Sequence, residues 1–174
     1  MDQPQAWYAV YTKSRFEKRL AGLLGEKDIE AYVPMRKVLR QWSDRKKLVD
    51  EPLIRSYCFV NISMERYMDV LHTPGAVRFV FFGGKPAPIP ARQIDTLKAV
   101  TGSNVEVDAI SLKGIKPGRM VRVTAGPLTG IIGELLRLGA ANKVVIRIEH
   151  LSQGLILSIS PLLLEPVIGE YPMP

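Results

Sequence analysis

Gly118-Arg119-Met120-Val121-Arg122-Val123-Thr124-Ala125-Gly126-Pro127-Leu128-Thr129-Gly130-Ile131-Ile132-Gly133 is the stretch on which the fold turns. Met120, Arg122 and Thr124 alternate with Val121 and Val123, the period-two pattern of a strand with one face in a core. Gly126-Pro127 predicts a turn, and the spaced glycines suit positive-φ turns and close strand approach. The stretch is not a phosphate loop, because it lacks GxxxxGK[ST] and no helical pattern follows it.

Downstream, Ile131 to Leu138 predicts a second strand and Asn142-Lys143 a turn. Val144 to Ile148, Leu155 to Ile159 and Leu163 to Val167 complete about five short strands, the pattern of a small barrel. Upstream, the character of the chain changes near Thr101. Residues 102–115, opening with Gly102-Ser103-Asn104, are expected to be a linker. Before it, strands are predicted at Trp7 to Thr12, Ile29 to Pro34, Leu53 to Ile62 and Val77 to Phe82. Helices are predicted after Ser14, with Glu17 at capping-box spacing and Phe16, Leu20, Leu23 and Leu24 as the apolar stripe. Shorter ones follow at Arg66 to His72 and Ala91 to Val100. The expectation is a two-domain α+β chain: a mixed domain over 6–101, then an all-β domain over 116–168.

Composition narrows the function. Nearly half of the 174 residues are hydrophobic (47%), enough to build cores. No apolar run approaches the roughly 20 residues of a membrane helix. The start, Met1-Asp2-Gln3-Pro4, lacks the basic and apolar segments of a secretory signal, so a cytoplasmic location and no membrane partner are expected. The single cysteine, Cys58, sits in an apolar run and reads as a buried thiol. His72 and His150 lack metal-ligand spacing, so no metal or other cofactor is expected. No nucleophile–base pair stands out, which argues against an enzyme. A net charge of +7 favours polyanion partners.

Two groups of side chains are candidates for function. Arg36, Lys37, Arg40, Arg45, Lys46 and Lys47 surround Trp42 with Asp44 the one acid among them. The stretch reads equally as a solvated hairpin or as a nucleic-acid arm in which cations meet phosphates and Trp42 packs on a base or a neighbouring protein surface. The aromatic residues Tyr57, Phe59, Phe79, Phe81 and Phe82 fall in strands whose two faces are both apolar. One face must meet the helices; the other is a candidate partner surface.

The Gly118–Gly133 stretch resembles a KOW motif, with Gly118, Val121, Val123, Gly126, Pro127, Gly130 and Gly133 as its pattern. Trp7-Tyr8-Ala9-Val10-Tyr11-Thr12, Val33-Pro34, Glu51-Pro52-Leu53, Tyr57-Cys58-Phe59-Val60, Pro74-Gly75-Ala76-Val77 and Pro86-Ala87-Pro88-Ile89-Pro90 occur in the order seen in NGN domains. Together they resemble the NusG-like transcription elongation factors from about residue 6 to 168. Arg40 to Lys47 is similar to the UpxY-type antiterminators of capsular or exopolysaccharide operons, and RfaH is a more distant relative.

The resemblance implies an NGN domain of antiparallel sheet and helices followed by an SH3-like KOW β-barrel. It implies binding to the clamp helices of the largest catalytic RNA polymerase subunit through Tyr11, Ile54, Tyr57, Phe59 and Phe82. It also implies that non-template DNA passes Lys13, Arg15, Arg19, Arg40, Trp42, Arg45, Lys46 and Lys47. For the barrel it implies a small-subunit ribosomal protein as partner. Rho coupling is expected to be weak or absent, because no aromatic follows Gly126-Pro127. The alternative is a KOW-containing RNA-binding ribosomal or ribosome-assembly protein.

Overall fold

The computed structural model describes residues 4–138 and 141–168. The chain divides into two compact units between Ile94 and Asp95.

In the N-terminal unit, the aromatic and β-branched residues of β1 (Ala6–Thr12) form the centre of a sheet. Helix α1 (Glu17–Gly25) follows, then β2 (Glu30–Tyr32), the hairpin strands β3 (Met35–Gln41) and β4 (Lys46–Pro52), and β5 (Tyr57–Ile62). A single 3-10 turn precedes α2 (Tyr67–Leu71), and β6 (Ala76–Phe79) returns to the sheet. A small hairpin, β7 (Phe81–Phe82) with β8 (Lys85–Pro86), and a short β9 (Pro88–Ile89) lead to α3 (Ala91–Thr101), within which the division between the units falls. The sheet order is β2-β5-β1-β6, with β9 also paired to β1, and all its pairings are antiparallel.

One face of this sheet is a closed core. Tyr8 and Val10 of β1 join Cys58, Val60 and Ile62 of β5, and α1 adds Leu20 and Leu24. Phe79 is stacked on Tyr67 with ring centroids 4.6 Å apart. Each such apolar side chain contributes roughly 1.5–3 kcal/mol on burial. The opposite face carries Trp7, Ala9 and Tyr11 beside Tyr57 and Phe59, as strand alternation requires. Ala9 and Phe59 have no exposed surface, so this face is not open at its centre as expected.

Three local expectations change. The Ser14–Glu17 capping box does not form: α1 starts at Glu17, and no side chain caps it. Glu17 instead accepts the Ser56 backbone N–H at 2.7 Å, a tertiary bond that outcompetes the local cap. The predicted strand over Leu53 to Ile62 begins only at Tyr57, because Ser56 takes φ 62°, in the left-handed region. The apolar run Val77 to Phe82 is split, its last two residues leaving the sheet for the small hairpin.

The C-terminal unit is built on a six-stranded antiparallel sheet, with one strand more than expected. Its strands are β10 (Val107–Ser111), β11 (Arg119–Val123), β12 (Ile132–Leu138), β13 (Ala141–Arg147), β14 (Gln153–Leu157) and β15 (Leu164–Pro166). Their order is β10-β14-β13-β12-β11-β15. The additional strand, β10, comes from the expected linker and pairs with β14 along its whole length. Its partly apolar alternation was masked by the Gly, Ser and Asn before it. Asn142-Lys143 is not a turn but lies within β13; the β12–β13 connection falls at 139–140, outside the described residues.

The glycine-patterned stretch shows its physical purpose at two positions. A Cβ at Gly118 would lie 2.4 Å from the Leu135 carbonyl oxygen, so only glycine lets β11 start this close to β12. Gly126 takes φ 89°, the left-handed turn that sends the chain back after β11. Val121 and Val123 point inward as predicted, and Leu128 plugs the loop from inside. Glu134, almost fully buried, accepts Arg147 Nε at 2.6 Å and the Gly118 N–H at 3.0 Å. Arg147 also donates to the Ile115 carbonyl at 3.2 Å, tying the approach to β11 onto the sheet.

Candidate functional site

The two units differ sharply in charge. Residues 1–94 hold 16 of the 24 Lys and Arg residues and 10 of the 17 Asp and Glu residues, a net +6 of the chain's +7. A polyanion would therefore meet the N-terminal unit first.

The basic stretch forms a regular ribbon. β3 and β4 pair from Met35–Pro52 to Gln41–Lys46, and the Trp42 N–H donates to the Arg45 carbonyl at 2.8 Å to close the tip. Trp42, Arg45, Lys46 and Lys47 are all exposed there. Leu39 and Leu48 face each other across the strands and are more than half exposed, so the ribbon also carries apolar surface. Arg40 differs from its neighbours, since its guanidinium is held by Glu51, with Nε 2.6 Å from Oε1. It therefore folds back toward the base of the ribbon. There it lines a cavity of about 420 Å³ together with Arg15 of the β1–α1 turn. Lys18 and Arg55 line the same cavity; they were missed from the sequence because they are isolated cations outside any basic run. Lys13 and Arg19 are exposed nearby in sequence, and Arg19 lies over the Phe16 ring at 5.4 Å.

The aromatic group is only partly assembled. Tyr11 and Tyr57 are register partners with ring centroids 4.6 Å apart, and the Arg78 guanidinium lies 4.4 Å from the Tyr11 ring centroid. Burial, then the hydrogen bond with Tyr11, pushes the Tyr57 hydroxyl well above the usual tyrosine range; Arg78 opposes this. Tyr11 is half-buried, whereas Tyr57, Ile54 and Phe59 are buried. Ile54 and Phe59 thus present no exposed surface to a partner. Phe82 is 68% exposed and lies on the small hairpin, which is not part of the sheet that holds Tyr11 and Tyr57. Phe81, 44% exposed, accompanies Phe82 on the small hairpin and was expected only as sheet.

Other reactive groups are structural. Cys58 is fully buried, and burial, aided by the Glu17 carboxylate, pushes its thiol up to about 12. Among the described residues no group of three or more His, Cys, Asp and Glu side chains could hold a metal ion. No helix among them is long and apolar enough to cross a membrane.

Comparisons with known proteins show the family. The family model described as "Transcription termination factor nusG" matches residues 5–98, more than half of the chain. A Thermus thermophilus protein, "Transcription termination/antitermination protein NusG", is 26% identical and covers 82% of this chain and 89% of its own. A Borreliella burgdorferi protein of the same description is 21% identical, covering 80% and 85%. A solved structure described as "Domain interaction in Thermotoga maritima NusG" shares the fold, with a TM-score of 0.52 at 24% identity over 94% of this chain and 97% of that one. The class is that of non-enzymatic transcription termination and antitermination factors with a mixed α/β fold. The chain belongs to the NusG family.

Proposed function

We propose that this chain binds RNA polymerase through its N-terminal unit and acts on transcript elongation as an antiterminator. The observation that carries this reading is the family match over residues 5–98, the same half that holds nearly all the net charge and most of the exposed aromatic surface. Tyr11, with its ring partner Tyr57, is the centre of the polymerase contact, on the clamp helices of the largest catalytic subunit, and the buried Ile54 and Phe59 belong to the same family pattern. Phe82 adds a second apolar contact from its hairpin. The ribbon cations, with Lys13, Arg15 and Arg19, face non-template DNA. Bridging polymerase and DNA disfavours the open, paused state by the difference in affinity for the two states; about 1.4 kcal/mol gives tenfold.

The C-terminal unit is read as a KOW barrel, supported by the Gly118 approach, the Gly126 turn and the inward valines. It recruits a small-subunit ribosomal protein. Its turn carries a buried Leu128 with Pro127 and Thr129 outside, so it offers no aromatic anchor, consistent with weak Rho coupling. The functional type proposed is the UpxY-like antiterminator of capsular or exopolysaccharide operons. A ribosomal role gains nothing from the matched residues 5–98.

The test is co-purification of the full chain with core polymerase. Tyr11→Ala with Phe82→Ala is expected to weaken association about tenfold or more while the thermal midpoint is retained, since neither side chain is fully buried. Undiminished association excludes this contact.

A further inference from the structure

The ribbon of β3 and β4 has two unlike faces. Residues paired in register project to the same side, and the side alternates along each strand. One face carries Arg36 with Glu51, Val38 with Val49, and Arg40 with Lys47. The other carries Lys37 with Asp50, Leu39 with Leu48, and Gln41 with Lys46.

The first face closes on itself. The Arg40 guanidinium reaches Glu51 by running past the Val38–Val49 pair that lies between them. Its methylene stem shields apolar surface while the carboxylate satisfies its charge, and both valines are half-buried. The second face has no such lid: Leu39 is 59% and Leu48 55% exposed. Among the described residues neither strand pairs with a third, and the two pack chiefly on each other. A lone two-stranded ribbon is marginally stable in water, and a leucine pair facing solvent adds nothing to its core.

The surroundings of the leucines define what fits over them. Lys37 and Lys46 flank the pair on the same face with Asp50 the one acid, and Arg45 and Lys47 are exposed at the adjoining tip. A phosphate backbone would meet the cations but leave the leucines in water, and leucine offers no ring on which a base stacks. A second copy of the ribbon would bring net positive faces together. A protein surface that is apolar at its centre and rimmed by carboxylates satisfies both the leucines and the lysines.

We propose that the Leu39–Leu48 face docks on a polymerase surface of that chemistry, while the tip cations stay with DNA. This is a protein contact separate from Tyr11 and Phe82, and it rests on the reading that the chain binds polymerase.

Photo-crosslinking of the full chain in a stalled elongation complex tests it, with p-benzoylphenylalanine placed at position 39 or 48. Both positions are expected to crosslink to a polymerase subunit and not to DNA. Leu39→Thr with Leu48→Thr keeps strand propensity and touches only exposed side chains. This variant is expected to bind the elongation complex about tenfold more weakly. Its salt slope and its affinity for single-stranded DNA should be unchanged, because apolar contacts release no counterions. Crosslinks to DNA, or undiminished binding by the Thr variant, overturn the docking face. Co-purification of the unsubstituted chain with polymerase is scored on the same samples. Co-purification without protein crosslinks overturns the docking face alone, whereas failure to co-purify overturns the polymerase reading and the docking with it.

Discussion

The N-terminal and C-terminal units spend their polar residues in opposite ways. The first holds its cations at the surface, on a ribbon tip and around a cavity. The second, with a net charge of only +1, places its strongest ion pair inside, where Glu134 and Arg147 lock β12, β13 and the approach to β11. A surface cation is free to meet a partner; a buried pair stabilises geometry only while both members remain. The contrast supports the proposed recognition of polyanions by the first unit, where the surface cations lie.

This contrast can be broken in several ways, and the largest effect should be on stability. Arg147→Met strands the Glu134 carboxylate at 2% exposure and should cost the C-terminal unit roughly 3–5 kcal/mol in denaturant unfolding. A loss below about 1 kcal/mol would show that the interior pair is not structural. Glu17→Ala leaves the Ser56 N–H without its acceptor and should cost the N-terminal unit about 1–3 kcal/mol. The effect should be confined to that unit's transition.

Cys58 sharpens the same picture through its reactivity. With the native thiol near 12 against 9.0 for a free one, the thiolate fraction at pH 8 drops roughly a thousandfold, so an Ellman-type reagent should react only after unfolding. The sign of the pH effect follows. A raised thiol pKa favours the folded state below the unfolded value near 9. That contribution is lost as pH climbs from about 9 to 12, so stability should fall across that window and be insensitive to Cys58 below it. The smallest effect expected is at the ribbon tip. Neutralising Arg45, Lys46 and Lys47 should lower single-stranded DNA affinity modestly and reduce the salt slope by about 2, since each phosphate contact contributes about 0.7.

Much of the fold was legible because alternation and helical spacing are local. β1, α1, α3 and the valines of β11 stand where periodicity put them. What was not legible depends on partners distant in sequence. Glu17 at capping-box spacing was taken by Ser56, 39 residues away. β10 is a strand because β14 offers it an edge, and its own residues only weakly demand one. Within the site, a run of like charges was visible as the ribbon, but Lys18 and Arg55 join Arg15 and Arg40 only through tertiary folding. The aromatic group was overread for the same reason: apolar residues on a strand do not reveal whether a second layer covers them. Ile54 and Phe59 are covered, and Phe82 has left the sheet.

In the proposed function the N-terminal unit alone carries the contacts to polymerase and DNA. Hydrogen-exchange footprinting of the full chain, free and bound to a stalled elongation complex, tests it most directly. New protection is expected at 11–19, 36–47 and 81–85, with residues 119–138 and 141–166 exchanging as in the free chain. Protection concentrated on the C-terminal strands, with the ribbon and the Tyr11 surface unchanged, would contradict it.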